Sequence, residues 1–268
     1  MKRSLPPPIA AAVFLASAGA ASALPIRTAD PNVGVFSGYA ALGRVEVIEA
    51  SNSQMDVSAT AVAAGILYSP TTYTAFGVVV PYVEKRVKLR GQGEELTRGL
   101  SDVQLLARYK FFSRPALRAW NQASFQLTLK APTGSTERGT RLDLPPVMKR
   151  AVQPGTGSTD FVFDVTGGRF TSRYNGILDV GYRLNTESDG VAFGDQFFAN
   201  ADLEWFLLPR LTRKRGQEIL ALLELGWVHG ERDELDGRDV RDSGGDRLLV
   251  APGIQWIVSE RFLVEASV

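Results

Sequence analysis

The chain holds a single histidine, His229, and no cysteine. Thiol nucleophiles, disulfides and thiolate metal sites are therefore excluded. A lone histidine can still act as the base that makes a serine hydroxyl nucleophilic. His229 is followed by Gly230-Glu231, so no serine lies two residues on, and it reads as an interfacial aromatic. Asp233, Asp236, Asp239, Asp242 and Asp246 crowd the stretch 232–246, beside Gly237, Gly244 and Gly245. Oxygen ligands this close could hold Ca²⁺. The EF-hand spacing is missing, however, and Arg232, Arg238, Arg241 and Arg247 interleave, so a solvated loop with local ion pairs is the better account. Gly155-Thr156-Gly157 lacks the Lys-Ser/Thr and the helix that a phosphate loop requires. No metal, cofactor or catalytic residue is assigned.

What remains is charge in a regular pattern. Asp102, Arg108, Lys110, Lys130, Asp164, Asp179, Arg183, Asp202, Glu204, Glu224 and Arg247 all fall on the polar side of an alternation. In Tyr174–Asn185, for example, Tyr174, Leu178, Val180, Tyr182 and Leu184 share one face, and Asn175, Asp179, Arg183 and Asn185 the other. A β-strand points successive side chains to opposite sides, so each such segment has an oily face and a charged face. With the oily face in lipid and the charged face around water, the eleven charged residues line a pore. The bases concentrate between 101 and 131 and the acids between 158 and 231. That segregation implies a transverse field, favouring polar or zwitterionic solutes over strong single-sign selectivity. The alternative is that these charges only form ion pairs and hydrate the interior.

Eleven segments carry the alternation, at 34–49, 54–68, 73–88, 101–113, 118–131, 158–169, 173–186, 194–208, 217–231, 246–258 and 262–268. No helical period separates them, and the economical arrangement is an all-β, antiparallel up-and-down transmembrane barrel. Connections alternate in length. Those at Ser69–Thr72, Arg114–Ala116 and Ser259-Glu260 are tight, while 89–100, 132–157 and 232–245 are long and polar. Outer-membrane barrels pair short periplasmic turns with long external loops. Only the basic stretch Pro209–Gly216 is long where a short turn is expected. Tyr82, Phe111, Tyr174, Trp205, Trp227 and Trp256 gather toward strand ends, as a lipid-facing aromatic girdle requires. A soluble sandwich would also alternate, but its strands average about 5–6 residues, shorter than these.

Residues 1–23 read as a signal peptide: Lys2 and Arg3, an apolar run from Ile9 to Ala18, and Ala21-Ser22-Ala23 before the cleavage point. Residues 24–268 then form the barrel. Without Lys2 and Arg3 the charge is 28 basic against 29 acidic residues, which does not support nucleic-acid binding. The expected partners are the outer-membrane bilayer of a Gram-negative cell, a small solute, and the barrel-assembly machinery during biogenesis. The last segment runs outward, so the reading expects a twelfth strand and a sequence truncated before it.

Three short elements carry a resemblance: Gly99-Leu100-Ser101-Asp102, Pro132-Thr133-Gly134 and Gly155-Thr156-Gly157-Ser158. Together they resemble a family of outer-membrane transporters named for the meta-pathway of phenol degradation, with Ser101 where the family pattern has a second glycine. The resemblance implies a barrel and passive passage of small organic molecules, aromatic compounds among them. It assigns no binding residue. The reading opposed to transport is a structural barrel or a lipid-modifying enzyme of the phospholipase type.

Overall fold

The computed structural model describes residues 38–51, 55–89, 91–137, 142–208, 218–241, 243–259 and 262–267. The leader expected at 1–23 and the basic connection at 209–216 lie outside the described residues.

One antiparallel sheet dominates the molecule. Its path is β1 (Gly38–Ser51), β2 (Met55–Ser69), β3 (Thr74–Leu89), β5 (Val103–Ala116), β6 (Ala119–Ala131), β7 (Asp160–Thr171), β8 (Tyr174–Leu184), β10 (Gln196–Phe206), β11 (Glu218–Gly230), β14 (Gly245–Ser259) and β15 (Phe262–Ser267). Each expected segment coincides with one strand of this path, and every neighbour in space is the next such strand in sequence. Among the described residues β1 and β15 are not paired with one another.

The stretch 89–100, expected to be a loop, is instead mostly β4 (Gly93–Leu100), which pairs with the outer half of β3. The polar composition that suggested a loop is cross-strand charge. Arg86 pairs with Glu94 at 3.3 Å, and Lys88 stands opposite Glu94 in the register. Opposite charges facing each other support a ladder as readily as apolar pairs do. The β3–β4 hairpin therefore extends with β1 and β2 past the end of β5, on the side bearing the long connections.

At the other end the turns are tight and share one device. Thr71 Oγ1 accepts from the N–H groups of Tyr73 and Thr74, and Thr171 Oγ1 accepts from those of Arg173 and Tyr174. A threonine hydroxyl that caps the amides two and three residues on closes a turn locally. The β5–β6 turn falls at Leu117-Arg118, slightly later than expected, with Arg118 at φ 58°.

The alternation sets the two faces apart. Phe163 and Leu203 are 41% and 46% exposed on the outer face, whereas Asp164 and Asp202, their sequence neighbours, are 5% and 3% exposed on the inner one. Tyr82, Phe111, Tyr174, Trp205, Trp227 and Trp256 are all exposed on the outer face. Tyr174 stacks on Trp205, and Phe197 meets Trp227 edge-on. A sheet with apolar groups outside and ionised groups enclosed inverts the order of a water-soluble sandwich.

Candidate functional site

The inner face has two unlike walls. On β2 and β3 it is small and apolar: Met55, Val57, Ala61 and Leu67, then Ala75, Val83 and Val87, are all buried. From β5 to β11 charged and amide side chains stand among buried apolar ones such as Ile177, Leu220 and Leu222. Here hydrogen bonds step from strand to strand around the wall. Arg108 Nη2 donates to Gln126 Oε1 at 2.5 Å, and Gln126 Nε2 donates to Asp164 Oδ2 at 3.2 Å. One row further, Thr166 Oγ1 and Asn200 Nδ2 donate to the two oxygens of Asp179, at 2.9 and 3.2 Å. Asn175 Nδ2 reaches Glu204 Oε2 at 2.5 Å. The register explains these steps, because directly opposed residues share a face: Arg108 opposes Gln126, Gln126 opposes Asp164, and Asp179 opposes Thr166 and Asn200.

Of the residues expected to line a pore, Arg108, Lys110, Asp164, Asp179, Asp202 and Glu204 are buried on this inner face. Arg183, Glu224 and Arg247 are half-buried on the inner faces of β8, β11 and β14. Asp102 and Lys130 do something more specific, at the end bearing the long connections.

There the described parts of the long connection, 132–137 and 142–157, fold inward. They carry α1 (Pro146–Ala151), whose buried face (Val147, Met148 and Ala151) packs with Leu142, Leu144 and Val152 against Met55, Val57 and Val87 of the apolar wall. Val191 and Phe193, from the connection between β8 and β10, complete the cluster. The mouth of the sheet is thus filled by an apolar plug.

Polar groups hold the plug to the wall. Lys85 Nζ, buried on β3, donates to Ala151 O and Gln153 O, each at 2.7 Å. These carbonyls lie at the C-terminal end of α1, where a helix leaves acceptors unsatisfied and favours a cation. Thr97 Oγ1 on β4 donates to Val152 O, and Ser101 Oγ to Pro154 O at 2.6 Å. Asp102 receives three bonds, from Gly134 N (2.9 Å), Thr156 N (2.8 Å) and Thr156 Oγ1 (2.9 Å). Lys130 Nζ lies between Asp102 and Asp160 and also donates to Thr156 Oγ1. Gly134 and Gly155 approach so closely that a Cβ on Gly134 would stand 2.7 Å from Gly155 Cα. All three short sequence elements therefore meet at one node. Asp102 is only 2% exposed, and an unmet carboxylate there would carry a heavy desolvation cost.

Sequence reasoning missed Lys85, Thr97 and Thr156. Lys85 could have been found: it sits between Val83 and Val87 on an otherwise apolar inner face, where a lysine demands a partner. Nothing local marks Thr97.

A second fold covers the same end. Within 232–245, expected to be a solvated loop, β12 (Glu234-Leu235) and β13 (Arg238-Asp239) form a small sheet with β9 (Val191-Ala192). Asp233 is buried beneath it and accepts from Gly194 N at 2.9 Å. Burial pushes its carboxyl up to about 6, against the lowering effect of that one N–H. On the outer rim His229 Nδ1 lies 3.0 Å from Asp246 Oδ1, which also accepts from Trp227 Nε1 at 3.1 Å.

An antiparallel meander with an apolar exterior, an ionised inner face and a long-looped end defines an outer-membrane β-barrel. Residues 49–268 match the family model described as "Putative MetA-pathway of phenol degradation", and the chain belongs to that family. A crystal structure of an outer membrane channel from Pseudomonas putida F1 has a similar fold, with a TM-score of 0.53 and 14% identity. That similarity covers 85% of this chain and 89% of the other. No curated protein matches the sequence.

Proposed function

We propose that this chain is a passive outer-membrane channel for small organic solutes, aromatic compounds among them. The carrying observation is the inner face. A continuous row of ionised and amide side chains encloses the space that the plug caps, while the outer face is apolar. The crystal structure with a similar fold is of an outer membrane channel, and the family description names phenol degradation, which supports a role in aromatic uptake. Solutes pass along the row from Arg108 to Glu224, and the segment 132–157 sets the width of the mouth. Tyr82, Phe111, Tyr174, Trp205, Trp227 and Trp256 meet the bilayer interfaces. The leader is cleaved near Ala23, and the barrel-assembly machinery inserts the protein. The channel reading takes His229 as a rim residue beside Asp246 and Trp227 rather than as a catalytic base.

The test is single-channel recording of the refolded protein in planar bilayers, joined to liposome swelling with phenol. Discrete current steps and phenol-dependent swelling are expected. Absence of both from folded protein overturns the reading.

A further inference from the structure

The outer face carries charge as well, and it does so at the tight-turn end. Residues 111–128 and 165–178 cover the turn-side parts of β5 to β8 and hold four arginines, Arg114, Arg118, Arg169 and Arg173, and no aspartate or glutamate. All four are exposed. Arg118 and Arg173 lie in the turns, whereas Arg114 and Arg169 sit on the outer face of the strands. Arg114 opposes Asn121 in the register, and Asn121 opposes Arg169, so the three form one row across β5, β6 and β7. Neighbouring strands are about 4.8 Å apart, which places the two arginines about 10 Å apart with an amide between them.

The guanidinium of Arg114 does not extend toward the turn. It folds back over the ring of Phe112, with Cζ 5.7 Å from the ring centroid. Phe112 is itself exposed on the lipid side. Among the described residues neither Arg114 nor Arg169 forms an ion pair. A cation at the edge of hydrocarbon with no protein counter-ion draws one from the bilayer. The planar fork of arginine matches a phosphate bidentately, which the point charge of a lysine does not. The next row toward the membrane supplies an apolar bed. Phe112 opposes Ala123, Ala123 opposes Gly167, and Gly167 opposes Leu178. A Cβ on Gly167 would meet nothing within 4 Å, so a shallow depression lies between Phe112 and Leu178.

We propose that this row is a binding site for an anionic glycerophospholipid, its phosphate clamped by Arg114 and Arg169 beside the Asn121 amide and one acyl chain lying over Ala123 and Gly167. Short turns face the periplasm in outer-membrane barrels, so the lipid comes from the periplasmic leaflet. Arg118 and Arg173, in the two adjoining turns, add positive potential at the headgroup level. That favours a headgroup of net negative charge, such as phosphatidylglycerol, over a zwitterionic one. The site lies outside the lumen and does not depend on whether the barrel conducts.

Native mass spectrometry of the full chain, refolded in mild detergent, reads the site with phosphatidylglycerol and phosphatidylcholine of equal chain length as probes. One phosphatidylglycerol should be retained per chain, several-fold more tightly than phosphatidylcholine. Arg114→Gln with Arg169→Gln should weaken it about 25-fold, about fivefold for each charge lost near a membrane surface. Gly167→Leu leaves every charge in place and should also weaken binding, by filling the depression. Its added side chain meets open space, so it stands in for the double variant should that one fail to fold. Heat-dependent gel mobility checks folding. Arg98→Gln, at an exposed arginine of the long-looped end, should leave the affinity unchanged. Inorganic phosphate at millimolar concentration should not displace the lipid. No retained lipid, equal retention of the two lipids, displacement by inorganic phosphate, an equal loss in Arg98→Gln, or an affinity unaltered in the row and depression variants overturns the lipid site.

Discussion

The wall formed by β2 and β3 and the wall from β7 to β11 are alike outside and opposite inside. Outside, both present apolar side chains: Ile66, Phe76 and Val78 on the first, Phe163, Leu178 and Leu203 on the second. Inside, the first carries alanines, valines and leucine around the single buried Lys85, and the second carries carboxylates and amides beside a buried apolar cluster of Phe206, Leu220 and Leu222. Hydrocarbon imposes one requirement on every outward position. The enclosed face answers only to its own neighbours, so it can specialise. At the long-looped end the two walls also hold the cap differently. The apolar wall grips the plug through Lys85, with Thr97 of the adjoining β4, whereas the β9–β12–β13 sheet, at the ends of β10 and β11, rests on the buried Asp233.

The largest effect should come from confusing the faces. Leu178 and Asp179 are sequence neighbours on opposite sides. Leu178→Arg, placing a charge in lipid, should cost about 2–4 kcal/mol of folding stability near the bilayer midplane. Asp179→Asn should insert normally. Urea titration of vesicle-inserted protein measures both, and equal losses would mean that the faces are not distinct.

Asp233 sharpens the comparison at the cap. Its folded-state carboxyl titrates at about 6, above its unfolded value, so it favours the cap at low pH. That contribution is full below about pH 4 and is lost as the pH rises through about 6. At neutral pH ionisation should cost the cap on the order of 2–3 kcal/mol. Asp233→Asn keeps the acceptor for Gly194 N and should flatten the trend. Hydrogen exchange of the 231–241 amides from pH 4 to 7 measures this; an unchanged slope in the variant would assign the dependence to another group.

Lys85→Met tests the opposite grip. It leaves Ala151 O and Gln153 O without their buried donor, at a cost of about 2 kcal/mol. The plug should loosen while the sheet stays folded, visible as faster proteolysis within 132–157 and larger single-channel current. A barrel that unfolds as a whole would show that the plug is not a separate unit.

The smallest effect is expected at the rim. Arg150 on α1 meets Asp189 at 2.7 Å, and the exposed carboxyl is held below its usual range by that guanidinium. Its contribution is present at neutral pH and fades on acidification. Asp189→Asn should leave thermal stability and conductance unaltered within error, because solvent screens the exposed carboxylate of the pair. A measurable loss would make this clasp part of the cap's hold.

Much of this was legible before any coordinates. The eleven alternating segments gave the path strands, because period-two burial is written into consecutive residues and needs no distant partner to be read. The tight turns were legible for the same reason, since Thr71 and Thr171 close them with their own side chains. The polar-face residues, from Asp102 to Arg247, followed from parity alone.

Tertiary structure decided what that parity could not. Glu94 signals water when read alone and a ladder only when Arg86 and Lys88 meet it across the hairpin. Gly134 and Thr156 lie 32 and 54 positions along the chain from Asp102, and the β5–β6 register together with the return of the plug segment brings them to one node. Each element read alone is a turn. Their meeting depends on strand register and on which donors the folded segment presents to a buried carboxylate, and neither is local to any one stretch of sequence.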